Sequence, residues 1–359
     1  MRLDGVHIAG VGVCLPGVMD TREAAGRGVP GAAEAVESGW TGVAVAGERP
    51  APEMAAEAAQ QALARSAHGP ADIAVLMYAS ILPHGPEGWP PQTYVQRRVV
   101  GGTIPAVEIR QQCNGMLGGV ELAACFLTAH DRLAALVTGA DNFGTPMFDR
   151  WRYAAAAGTN RTSITGDAGA ALVLSRKGGF ARLCAVGSMS VPWLEDLFRS
   201  GIPLFPPEPT LGRIPDVGAR FADYRRRDPA AFAAAKDALS RARAELARRT
   251  LDEAGVTADQ ITRVTHVFAG ARPYVEGVLT PLGIDASRGM LEFGRRLGHL
   301  GTCDPVVALD HLVATGGVVP GDHVLMLSNG GASLACAVVE ITGRPAWLTA
   351  PPRTAGAAR

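Results

Sequence analysis

Apolar residues along this chain follow two alternating periods. Residues 55–66 (AAEAAQQALARS) carry small apolar side chains three and four apart, the stripe of an amphipathic helix. A polar loop containing Ala71-Asp72 follows, and residues 73–80 (IAVLMYAS) form a continuous apolar run, as a strand buried on both faces does. The same order returns at 245–270 (ELARRTLDEAGVTADQITRVTHVFAG), again with an Ala-Asp loop. Residues 113–142 and 299–330 likewise each read as a turn, a helix, a loop and an apolar strand ending in small residues. AGAALVLS (168–175) has its counterpart in ASLACAVVE (332–340), and VHIAGVGVCLP (6–16) in FARLCAVGSMS (180–190).

This duplication predicts two βαβαβ-type halves, 1–178 and 179–345, related by an internal twofold and meeting sheet edge to sheet edge. Helices alternating with apolar strands predict parallel sheets covered on both faces. Residues 346–359 (AWLTAPPRTAGAAR) read as a flexible tail.

The chain has 359 residues, 47% of them hydrophobic, and a formal net charge of zero, so nothing points to nucleic acid or an anionic membrane. No apolar run approaches the roughly 18 residues of a membrane span. The N-terminal MRLDGVHIAGVGVCLPG reads as a first strand, not a signal peptide, which suits a cytoplasmic protein. The six cysteines show no CxxC or Cys/His metal spacing, and no metal site is expected. Five of them (Cys14, Cys125, Cys184, Cys303 and Cys336) read as packing thiols.

The sixth differs. TIPAVEIR (103–110) has the pattern of a buried strand, GMLGGVELAACFLTA (115–129) that of a small-residue helix, and Cys113 stands at the turn between them. Unpaired backbone N–H groups and the positive end of a helix dipole suit a nucleophilic sulfur there. Gly115, Gly118 and Gly119 let a carbonyl approach the backbone. The local pattern fits a nucleophile and equally fits one more small buried thiol.

The duplication, the cysteine elbow, GDAGAALVL (166–174) and SNGGASLACAVVE (328–340) resemble the thiolase fold, and within it the ketoacyl-ACP synthase III branch, over the whole chain to about residue 345. The resemblance implies an α/β fold of two duplicated halves in α-β-α-β-α layers, and a homodimer. It implies further that the cysteine takes an acyl group from coenzyme A or acyl-carrier protein. In the condensing enzymes of this branch a histidine (His-Gln-Ala-Asn stretch) and an asparagine (Gly-Asn-Thr-Ser stretch) then serve decarboxylation. Here THVFAG runs into ARPYVEG, with Gly270 near the expected histidine, and LGHLGTCD puts His299 where the asparagine would be. His266 lies too early, inside the strand, and reads as a packed histidine.

A thiol, an imidazole and Asp304 remain, a set that suits simple acyl transfer. It resembles the ketosynthase-III-like acyltransferases of antibiotic biosynthesis, which carry Cys, His and Asp with this GHLG-type loop. The resemblance then implies Cys113 as nucleophile, His299 as base and Asp304 as its orienting carboxylate. Asp304 also reads as a helix N-cap with Pro305 at the first helical position. Backbone N–H groups of Cys113 and Gly331 would form the oxyanion hole. Asn329, Trp193 and Phe205 are candidates to line the substrate pocket, and Asp167 reads as a turn residue. Arg225, Arg226 and Arg227, with Arg241 and Arg243, form a basic face that would suit an acidic carrier protein.

No cofactor is expected beyond the phosphopantetheine thioester of acyl-CoA or an acyl-carrier protein, which is the substrate. The acceptor would be a hydroxyl, an amine or a carrier thiol. Two other readings stay open: a decarboxylating condensing enzyme that primes polyketide or fatty acid synthesis, and a non-catalytic carrier-binding partner.

Overall fold

The computed structural model describes residues 1–146, 148–152, 154–155, 162–206 and 216–348. Nine strands form one continuous sheet: β1 His7–Cys14, β2 Ile73–Ala79, β3 Ala106–Ile109, β4 Ala134–Asp141, β5 Ala168–Ser175, β6 Ala181–Ser190, β7 Ile261–Thr265, β8 His323–Gly330 and β9 Ser333–Ile341. Their order across the sheet is β7-β8-β9-β6-β1-β5-β4-β2-β3. The order reads as a mirror about β6 and β1, which pair antiparallel at Ile8 and Ala181. The first-half strands thus meet the second-half strands at their edges.

The pairing is mixed rather than wholly parallel. β2 is parallel to β3 and β4, and β7 to β8. β4–β5, β5–β1, β8–β9 and β9–β6 are antiparallel. Sequence reasoning missed this because helices precede the outer strands only. β8 and β9 are joined by Gly331 and Ala332 alone, and so short a link closes only an antiparallel hairpin.

Seven helices matter for the site: α1 Ala51–Arg65, α2 Pro91–Val99, α3 Gly115–Thr128, α4 Val217–Arg227, α5 Pro229–Ala254, α6 Arg272–Leu279 and α7 Asp304–Thr315. α3 packs on β2 and β4 of the first half and also on β6 and β9 of the second, while α7 touches β1, β5, β7 and β8. Both therefore lie between the halves. α1 covers the outer face of β1, β5 and β4, and α5 covers that of β6 and β9. The result is the five-layered α-β-α-β-α arrangement.

The glycines of β1 explain how closely the layers sit. A Cβ at Gly10 or Gly12 would overlap the carbonyls of Ala62 and Ala58 on the alanine-rich α1. The central layer supplies most of the core, with Met116, Leu117, Val120, Leu127, Val306, Leu309 and Leu312 all essentially buried. Each such side chain contributes about 1.5–3 kcal/mol relative to exposure. The N-termini of α3 and α7 are thereby held rigidly where the halves meet.

Of the residues read as a tail, Ala346–Leu348 instead form a turn, and Trp347 packs edge-on against Phe180 at 5.2 Å. An indole brought against an apolar ring gains more by burial than by mobility. Residues 349–359 lie outside the described residues. Cys125 is exposed, a correction to its reading as a packing thiol: on α3 the neighbouring Ala123, Ala124 and Leu127 take the buried positions. Among the described residues no helix is long and apolar enough to cross a membrane.

Candidate active site

Cys113 lies in a short 3-10 turn, Gln112–Asn114, that leads directly into α3. The preceding Gln112 has φ 52°, a left-handed conformation costly for a side-chain-bearing residue, so the elbow is held under strain by its surroundings. The surroundings are identifiable. The Ser328 hydroxyl donates to the Cys113 carbonyl at 2.7 Å, and the Met116 N–H donates to Thr302 Oγ1 at 2.8 Å. Gly330, at the end of β8, packs so tightly that a Cβ there would lie 2.7 Å from the Cys113 nitrogen.

His299 arrives from the other half on a loop tied to residues 164–166. Its N–H donates to the Ile164 carbonyl and its own carbonyl accepts from Gly166 N–H, both at 2.9 Å. Gly298 (φ +76°) and Gly301 (φ +62°) adopt conformations that side chains resist, and a Cβ at Gly301 would lie 2.5 Å from Asp141 Oδ2. The GHLG glycines are therefore demanded by the loop's shape.

The three chemistry-bearing residues of the sequence come together. Cys113 Sγ lies 2.9 Å from His299 Nε2, and His299 Nδ1 lies 2.5 Å from Asp304 Oδ2. Cys113, His299 and Asp304 are 8%, 3% and 0% exposed. Asp304 does not cap its helix: it is the first residue of α7, with Pro305 second, and a preceding 3-10 turn (Gly301–Cys303) leaves no N-cap role. Its oxygens are turned inward instead. Oδ1 accepts from Leu300 N–H at 2.7 Å, and Oδ2 accepts from Phe268 N–H at 2.8 Å as well as from His299. Held by two backbone N–H groups besides the ring, the carboxylate fixes the tautomer and orientation of the imidazole.

Burial alone would lower the His299 imidazole, but the Cys113 sulfur and the Asp304 carboxylate outweigh it and raise His299 well above its ordinary range. Other thiols are pushed away from reactivity: burial raises Cys14 to about 11 and Cys336 to about 12, and Cys303 goes up strongly as well.

Several sequence candidates have structural duties. The ring of His266 accepts from Met290 N–H at 3.0 Å and donates to the Val267 carbonyl at 2.8 Å, and burial lowers its imidazole, as befits a neutral core histidine. Gly270 packs against the Trp40 indole. Asp167 is a buried clasp that accepts from Ala46 N–H and Phe143 N–H at 2.8 Å and pairs with Arg150 at 2.9 Å. Gly331 (φ +57°) turns the chain just after Gly330 meets Cys113, beside the Gln112 side chain.

Trp193 and Phe205, expected to line the pocket, are 66% and 83% exposed. They sit on the segment that leads to residues 207–215, which lie outside the described residues. The basic face is thinner than its sequence suggests. Arg226 and Arg227 both pair with Asp223, at 3.1 and 2.9 Å, Arg225 is engaged within the chain, and Arg241 stays exposed.

Sequence reasoning placed Arg243 on that outer face, but it turns inward. Its Nη2 donates to Asn329 Oδ1 at 3.3 Å, and its guanidinium lies 5.9 Å from the Tyr274 ring centre. The signal was present: Arg243 shares a helical face with the buried Ala247 and Thr250, four and seven residues on.

Residues 251–341 match the family model of the 3-oxoacyl-[acyl-carrier-protein] synthase III C terminal. The β-ketoacyl-[acyl-carrier-protein] synthase III 3 of Streptomyces coelicolor is 25% identical over 334 residues, spanning 90% of this chain and 93% of that protein. The solved structure of ChlB3, an acyltransferase, is 43% identical, with a TM-score of 0.87, and the match covers 95% of this chain and 99% of that one. The 3-oxoacyl-[acyl-carrier-protein] synthase III of Aquifex aeolicus shares the fold at 20% identity, with a TM-score of 0.73 over 93% of this chain and 99% of that one. Similarity of this extent to ChlB3, joined to the five-layered fold and the cysteine elbow, shows that the chain belongs to the ketoacyl-ACP synthase III-like family of the thiolase fold.

Proposed function

We propose that the protein is an acyltransferase that moves an acyl group from a carrier-protein or coenzyme A thioester, through a Cys113 acyl-enzyme, to a hydroxyl, amine or carrier thiol, without decarboxylation. The observation that carries this reading is the continuous chain Cys113 Sγ–His299 Nε2–His299 Nδ1–Asp304 Oδ2, at 2.9 and 2.5 Å. In the first step the thiol proton passes to His299 Nε2 and the sulfur attacks the thioester carbonyl. The tetrahedral oxyanion is met by the N–H groups of Cys113 and Gly331. As it collapses, the carrier thiol leaves with the proton from His299. In the second step an acceptor O–H, N–H or S–H gives its proton to His299, attacks the acyl carbon, and the Cys113 sulfur departs and is reprotonated.

Asp304 favours this chemistry over decarboxylation. A carboxylate on Nδ1 makes the imidazole a strong proton acceptor and stabilises imidazolium. Decarboxylation instead calls for donors that steady an enolate oxygen. The family resemblance to ChlB3 supports acyl transfer, and no cofactor enters these steps. The exposed Arg241 is the residue of the basic face left to meet an acidic carrier. A second copy would add to the sheet at β3, an edge strand with Val107 exposed. Incubation with an acyl-carrier thioester followed by intact-mass measurement tests the reading: an adduct on Cys113 is expected, and its absence would sink it.

A further inference from the structure

Beside the nucleophile lies a polar group that the acyl-transfer steps leave unused. Arg243 from α5, Tyr274 from α6 and Asn329 near the end of β8 converge from three elements. Arg243 Nη2 and the Tyr274 hydroxyl both donate to Asn329 Oδ1, each at 3.3 Å. Asn329 directly precedes Gly330, the residue pressed against the Cys113 nitrogen. Burial pushes the Tyr274 phenol up, Arg243 and His299 pull it back, and Cys113 and Asp304 oppose them, so the cluster lies within electrostatic reach of the reacting sulfur.

Its hydrogen bonding is incomplete. Arg243 Nε is buried without a partner, and among the described residues no carboxylate forms an ion pair with this guanidinium. Two other half-buried arginines are matched, Arg65 by Asp310 at 3.0 Å and Arg150 by Asp167 at 2.9 Å. Arg263 shares the unpartnered Nε but lies against the Gly289 carbonyl and the Met290 sulfur, and has no hydrogen bond to the Asn329 group next to the nucleophile. A guanidinium presents five donors in a planar fork, and Asn329 Oδ1 uses one of them at a long distance. A partly desolvated cation of this kind gains most from a carboxylate, which accepts two parallel N–H bonds.

We infer that Arg243, with the Tyr274 hydroxyl beside it, forms an anion-binding subsite that takes a carboxylate borne by the substrate and holds it within reach of the Cys113 sulfur. The enzyme then selects an acyl group or an acceptor that carries a carboxylate. That choice of substrate rests on the acyl-transfer reading, whereas the anion preference of the site does not.

Two alkylating probes of nearly equal size test the preference directly. The rates at which iodoacetate and iodoacetamide modify the Cys113 peptide are compared by mass spectrometry. Arg243→Gln should lower the iodoacetate-to-iodoacetamide ratio about tenfold or more, a difference of about 1.4 kcal/mol. Arg243→Lys should keep most of the ratio, and Tyr274→Phe should lower it less than Arg243→Gln does. An unchanged ratio in Arg243→Gln overturns the inference, as does an equal fall in the Gln and Lys variants, which marks a packing role. Two further arms locate the carboxylate. Succinyl and isocaproyl thioesters of N-acetylcysteamine share a shape, one ending in a carboxylate and the other in an isopropyl group. A fall in their acylation ratio in Arg243→Gln places the anion on the acyl group. A fall confined to transfer onto glycolate, measured against isobutanol, places it on the acceptor. No change in either arm overturns the inference. Failure of both thioesters to acylate Cys113 would defeat the acyl-transfer reading, with the alkylation ratio still deciding the subsite.

Discussion

Replacing Asp304 with asparagine removes one charge and almost no volume, so its effects trace to hydrogen bonding. The carboxylate accepts three buried donors: Leu300 N–H, Phe268 N–H and His299 Nδ1. An asparagine offers one accepting oxygen and an NH2 group. If the oxygen faces Phe268 and His299, the NH2 confronts Leu300 N–H; if it faces Leu300, two donors are stranded. Each stranded buried donor costs about 1–3 kcal/mol, so Asp304→Asn should lose at least that much of a total stability near 5–15 kcal/mol. It should remain largely folded. The chemical loss should be larger, because His299 loses both its fixed tautomer and the partner that stabilises imidazolium. We expect acylation and transfer by the folded fraction to slow roughly 100- to 10,000-fold. Asp322→Asn is the control. That carboxylate also accepts a backbone N–H and a hydroxyl, from Val319 and Thr262, but stands at the start of β8, far along the strand from Gly330. Chemical denaturation would give the stabilities, and single-turnover intact-mass kinetics the rates. If Asp304→Asn and Asp322→Asn turn over within twofold of each other per folded molecule, the orienting role assigned to Asp304 is wrong.

Gly330→Ala should abolish acylation of Cys113 while the protein still folds, because the new methyl meets the Cys113 nitrogen at 2.7 Å and the Asn114 nitrogen at 2.9 Å. Normal acylation would show that the elbow's position is not critical. The raised His299 means that the folded state holds this proton more tightly than the unfolded chain, whose histidine titrates at about 6.5. Its stabilising contribution is therefore complete below about pH 6.5 and declines as pH rises through the raised folded value. The stability difference between wild type and His299→Asn, followed by denaturation across pH, should shrink from neutral to alkaline pH; growth of that difference would contradict the assignment. Arg241→Glu should weaken acylation by an acidic carrier protein and reduce its salt dependence, with acylation by a small thioester as the reference. An equal effect on both donors would remove Arg241 from the docking surface.

The internal repeat made the fold legible because both halves kept their helix and strand periods in the same order. Strand direction was not legible, since an apolar run such as 332–340 looks the same whether it runs parallel or antiparallel. The two-residue link after Gly330 was the clue. Cys113, His299 and Asp304 were singled out through the family resemblance that the elbow and the GHLG loop carry, since the elbow alone fits a packing thiol equally well. The duties of Asp304 could not, since its partners Phe268 and Leu300 are backbone N–H groups that any residue supplies. The exposure of Trp193 and Phe205 was not legible, since aromatic side chains signal burial on average and here they lie on an exposed segment. Arg243 was grouped with its charged neighbours, although its helical register already placed it among buried residues.

The central claim is that the Cys113 thioester is passed on intact. Loading the protein with a malonyl-carrier thioester and following both the mass of the Cys113 adduct and released carbon dioxide tests it most directly. The account predicts an adduct that retains the whole malonyl group until an acceptor removes it, with no carbon dioxide above background. Carbon dioxide released at the rate of turnover would contradict it and make this a condensing enzyme.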